Sequence, residues 1–156
     1  MEALLLAAAQ GLDAAGVGGW ARGSAGVYPI VNVVHVLGVV ALVGAIGIVD
    51  LRLAGAWRAL PLEPLVAALT PVAIAAAPVM LASGVLLFAA DGKSLSGSFE
   101  FQLKLGLLVI AMANAAAFRW RWHGGAEPRA IDRGLAVASL SLWVAIIIVG
   151  RMIAYR

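Results

Sequence analysis

His35 is the side chain best suited to chemistry in this sequence. It lies in YPIVNVVHVLGVVALVGAIGIVDLRL, residues 28–53, a run with no charged side chain before Asp50. An ionisable residue at such depth in an apolar run marks a site by default. Counted in threes and fours, Asn32, His35, Gly38, Leu42, Ala45 and Val49 share one helical stripe. The imidazole has two main uses there: a neutral ring hydrogen-bonded to a facing helix, or a metal ligand, with haem b iron as the metal. A proton or substrate contact is a third. Met80 falls at the same depth on the next apolar run, and histidine with methionine is an axial pair that raises haem potential. Gly84, one turn on, would make room for a flat cofactor, and Arg151, Lys93 and Lys104 stand where propionates would be met. The simpler reading is that Met80 fills a packing gap and Gly84 lets helices touch.

A second polar group gathers at the other end of the same run. Asp50 and Arg52 are joined there by Asp132 and Arg133, with Arg119 and Arg129 nearby if the chain crosses four times. A carboxylate at a helix end in lipid is costly unless paired, so an Asp50–arginine bridge is the first expectation and a substrate or proton gate the second. Asn114, in the middle of the third run, is expected to bond across to another helix. Glu100 and Lys104 are spaced to pair along one side. Ser139 and Ser141 are satisfied by their own helix and have no base beside them, which argues against hydrolase chemistry. His123, at the end of the third run, stands nearly a membrane thickness from His35, so one iron could not take both.

The elements that must position these residues are four apolar runs: 28–53, 65–90, 101–118 and 131–153. About 20 apolar residues suffice for a helix to cross the hydrocarbon layer, and runs free of alternation are helices rather than barrel strands. Composition agrees: of 156 residues, 63% are hydrophobic and 12% charged, well below a soluble domain. The 18 glycines suit close helix packing. With no cysteine, disulfides and thiolate sites are excluded. The net charge of +3 comes from arginines at helix ends, and no basic face with interleaved aromatics suggests nucleic acid. The expected class is therefore all-α: an integral membrane four-helix bundle (residues 28–156) preceded by an interfacial segment (residues 1–27).

Residues 1–17 read as a short helix feebly held at the interface, because Glu2 stands where a signal peptide wants positive charge. Residues 16–26 read as a turn-rich link and ADGKSLSGS, residues 90–98, as a polar loop. Pro71 and Pro78 are expected to bend the second helix, with Thr70 or a neighbour reoccupying a freed carbonyl. The run of Arg119, Trp120, Arg121 and Trp122 reads as an interfacial belt. Arg52, Arg58, Arg119, Arg121, Arg129 and Arg133 share one side, which the positive-inside rule makes cytoplasmic, leaving both termini outside.

Four segments carry a family resemblance: YPIVNVVHVLGVVALVGAIGIVDLRLAG, PVAIAAAPVMLASGVLLFAAD, FEFQLKLGLLVIAMANAAAFRW and SLWVAIIIVGRMIAY. Together they resemble a family of small bacterial inner-membrane proteins catalogued as a domain of unknown function. The resemblance implies four helices and a bacterial inner membrane, and it supplies no activity. Three function classes follow from the residues. The first is a non-enzymatic accessory or partner-binding subunit, bound to another membrane protein or to itself. The others are a b-type haem electron carrier using His35, and small-solute or ion transport by an oligomer.

Overall fold

The computed structural model describes residues 1–23, 26–122 and 128–155. It is all-α: α1 (Glu2–Ala14), α2 (Val17–Gly23), α3 (Val27–Ala54), α4 (Leu62–Ser96), α5 (Phe99–Arg121) and α6 (Ala130–Met152), then a 3-10 turn at Ile153–Tyr155. The four long helices are long and apolar enough to cross a membrane, and the chain is a multi-pass membrane protein. Their outward faces carry large apolar side chains, such as Val109 at 70% and Leu81 at 67% exposure. In water this would be a severe liability; in a bilayer such residues meet lipid.

Each boundary has a local cause. Gly55, in the left-handed region at φ 117°, ends α3 by bonding back to the Arg52 carbonyl, while Ala56 bonds to Leu51. Pro64 lies in the first turn of α4, where a missing N–H costs nothing. The Ser98 hydroxyl accepts the Phe101 amide at 3.3 Å to open α5. The Asp132 carboxylate accepts the Arg129 amide at 2.9 Å and so fixes the start of α6.

Both termini and the α4–α5 link lie at one end of the bundle, the terminal end. The α3–α4 turn and the α5–α6 connection lie at the other, the connection end. Helix α3 packs along both α4 and α6, and α5 packs along α6. The shared core is Leu42, Ala76, Ala111, Trp143 and Ile146, one or two residues from each span. Neighbours in sequence, α4 and α5 meet chiefly near their link, where Phe88 and Phe101 stack with centroids 5.3 Å apart.

Two expectations are corrected. Residues 90–96 are not a loop: α4 continues to Ser96, with only Asp91 leaving helical geometry (φ −134°, ψ 24°). Pro71 and Pro78 are carried without such a break, and the one non-helical residue inside α4 falls beyond them. The second correction concerns the link at 16–26: the expected N-terminal helix is α1, and after a turn at Gly16 a second helix, α2, follows it, both docking on this extension of α4. Ala9 packs on Gly92, and Arg22 donates to the Ala89 and Ala90 carbonyls at 3.4 and 3.2 Å. Asp13 ties the corner, bridging Arg22 at 2.5 Å and Lys93 at 3.4 Å. The Arg22 hydrogen bond holds the Asp13 carboxyl below its ordinary range. A composition rich in small and polar residues looked like loop; docking of helix on helix makes it ordered structure instead.

Candidate functional site

Two polar groups stand at opposite ends of the core, with Leu42 and its apolar neighbours between them. At the terminal end, His35 reaches from α3 to α4. Its Nδ1 lies 3.0 Å from the Met80 carbonyl and 3.0 Å from the Ser83 hydroxyl. A carbonyl cannot donate, so Nδ1 carries the proton. Ser83 spends its own proton on Val79 at 2.6 Å and accepts from the ring. In the neutral ring Nε2 therefore keeps its lone pair.

The glycines around this ring explain its fit. A Cβ on Gly38 would stand 3.2 Å from the Met80 amide nitrogen, so α3 and α4 touch backbone to backbone there. A Cβ on Gly84 would stand 3.2 Å from His35 Cε1, so the space this glycine opens is taken by the imidazole. The side chain of Met80 packs with the core. Because Nδ1 carries the proton, an iron at this site would be held through the Nε2 lone pair. Lys104, from α5, lays its stem across Gly150 of α6, with Nζ 3.5 Å from where a Cβ would be. Glu100 accepts from Ser98 at 3.1 Å, and no Glu100–Lys104 ion pair stands among the described contacts. Arg151 is exposed and engaged by Tyr155, donating to its hydroxyl at 2.8 Å with the guanidinium over the ring at 4.7 Å. Asn32, placed on the His35 stripe, is exposed, whereas Gly38, Leu42 and Ala45 of that stripe are buried.

At the connection end, Asp50 is 7% exposed and faces the Ser139 hydroxyl of α6, while its Oδ2 has no hydrogen-bond partner. The expected arginine bridge is absent among the described residues. Arg52 turns away, donating to the Leu60 and Arg58 carbonyls at 2.7 and 3.0 Å. Residues two apart on a helix do not face each other, so Asp50 meets α6 while Arg52 staples the α3–α4 turn. Asp132 is spent on capping α6, and Arg133 is exposed. Between these groups in depth, Asn114 donates to the Leu135 carbonyl at 3.1 Å, the cross-helix bond its position demands. His123 lies outside the described residues.

Two cavities open at the connection end. One, of about 400 Å³, lies between α4 and α5 and is lined by Glu63, Val66, Ala67, Thr70, Pro71, Arg119 and Trp122. The other, of about 180 Å³, lies between the α3–α4 turn and α6. Sequence reasoning missed Ser83 and Ser139 as partners of His35 and Asp50, since a serine satisfied by its own helix gives no signal of what faces it. Among the described residues, no cluster of three or more acidic or histidine side chains could hold a metal ion. No protein-family model, curated protein or solved structure matches the chain.

Proposed function

We propose that this protein is a small non-enzymatic subunit of the bacterial inner membrane, whose open flank between α4 and α5 receives a helix of another membrane protein or of a second copy. The observation that carries this reading is the divergence of α4 from α5 away from their link, which leaves the 400 Å³ cavity at the connection end. Its α4 wall, Glu63, Val66, Ala67, Thr70 and Pro71, includes two small residues, Ala67 and Thr70, of the kind that lets an incoming backbone approach closely. Pro71 brings no N–H to the Ala67 carbonyl one turn back, so an acceptor is presented where an incoming serine or threonine could donate. The arginines of the connection end make that end cytoplasmic and leave both termini outside.

Thr70→Trp fills the cavity without touching the core. It should abolish co-purification or crosslinking of the partner while leaving the thermal midpoint of the isolated chain unchanged. A solitary monomer from mildly solubilised membranes, with crosslinking the same in wild type and Thr70→Trp, refutes the reading.

A b-type haem carrier is the second reading. It is favoured by the orientation of His35, whose Nδ1–H is held by a backbone carbonyl, as the non-ligating nitrogen of a ligand histidine commonly is. Its test is an optical spectrum of protein made with ample haem: a Soret band lost in His35→Ala supports it, and colourless protein removes it.

A further inference from the structure

The second cavity at the connection end is a basic pocket. Arg52, Arg58 and Arg133 converge on about 180 Å³ floored by Leu53, which is 1% exposed, and among the described residues no carboxylate lines it. The three guanidiniums come from different places: Arg52 from the last turn of α3, Arg58 from the turn that follows, Arg133 from the first turn of α6. Arg52 is immobilised by its bonds to the Leu60 and Arg58 carbonyls. Arg58 folds back over Gly55, with Nη2 3.3 Å from where a Cβ would stand. That approach, together with φ 117°, is why glycine occupies the position. Among the described residues neither Arg58 nor Arg133 has a hydrogen-bond or ion-pair partner.

Three like charges held together, with no counter-charge among the described residues, repel one another, and a site that imposes this arrangement is suited to an anion. Depth fixes which anion is at hand. Trp57, beside Arg58, is 55% exposed, and Trp120 at the end of α5 is 88% exposed, as in the aromatic belt at a headgroup layer. We infer that this pocket binds the phosphate of an anionic phospholipid, with Arg58 and Arg133 as its free donors and Arg52 as a fixed positive wall. The shared chemistry is a phosphate group. A lipid source places it at this depth with its acyl chains along the apolar flanks of α3 and α6, whereas free phosphate would need only the guanidiniums.

The test is a titration of the full-length protein in neutral detergent with phosphatidylglycerol, phosphatidylcholine or inorganic phosphate, read by native mass spectrometry and by thermal midpoint. Phosphatidylglycerol should bind in preference to phosphatidylcholine and raise the midpoint. Each of Arg58→Gln and Arg133→Gln should weaken it roughly fivefold, and the double variant roughly 25-fold. Removing two charges at the terminal end, with Lys93→Gln and Arg151→Gln, should leave binding unchanged. Arg58→Lys with Arg133→Lys keeps charge but not the forked donors and should fall in between. Both arginines are exposed, so the variants should keep the helical circular dichroism of the wild type. Equal retention of the two lipids, or an equal loss in the terminal-end control, overturns the inference. So does inorganic phosphate raising the midpoint as far as the lipid does, which would make the free anion the ligand.

Discussion

Gly38 and Gly44 lie on the same helix, and the same substitution should have opposite effects at the two positions. A Cβ on Gly44 meets nothing within 4 Å, whereas one on Gly38 meets the Met80 amide nitrogen at 3.2 Å, its Cα at 3.3 Å and its Cβ at 3.4 Å. At an open position Gly→Ala favours the helix by up to about 1 kcal/mol. At Gly38 two of the atoms met are backbone, so α3 and α4 must separate along their main contact, and overpacking of this kind costs about 1–3 kcal/mol. Separation would also stretch the 3.0 Å bonds of His35 to α4. Thermal unfolding in one detergent should therefore place Gly44→Ala at or above wild type and Gly38→Ala below it. The expected shift is about 2–4 °C for each kcal/mol in a chain of this size. Adding Met80→Ala should not rescue Gly38→Ala, since the backbone stays in place. Gly84→Ala, which meets only imidazole atoms, should be rescued by His35→Ala. If Gly38→Ala proves as stable as Gly44→Ala, the close α3–α4 contact, and the placement of His35 that depends on it, is refuted.

Ser139→Ala should destabilise the bundle by about 1–3 kcal/mol, because it removes the hydroxyl that faces a buried carboxyl whose Oδ2 already has no partner. Asp50→Leu in the same chain should restore much of that loss, and thermal midpoints of the two variants decide it. The docking of α1 and α2 should be insensitive to pH through the neutral range. Asp13 is held below its ordinary 3.8, so the stability it adds is present above that value and is lost only as pH falls through the lower, folded value. Hydrogen exchange over residues 1–23 should show loosening only at strongly acid pH in wild type, and already at neutral pH in Arg22→Gln.

How much was legible depends on whether a residue answers to its own helix or to a facing one. The four apolar runs declare four helices in lipid, because no other backbone conformation pairs its polar groups there without a closed barrel. The inward stripe through Gly38, Leu42 and Ala45 and the cross-helix bond of Asn114 follow from helical periodicity and the cost of an unpaired amide in lipid. What the sequence left open was decided by how the helices pack. The rotation of α3 against α6 gave Asp50 a serine rather than an arginine, and the docking of α1 and α2 made a helix of what composition marked as loop. The separation of α4 from α5 and the convergence of Arg52, Arg58 and Arg133 belong to the same class. Such facts join residues far apart in the chain, and one strand of sequence carries the periodicity of each helix but not the angle at which it meets the next.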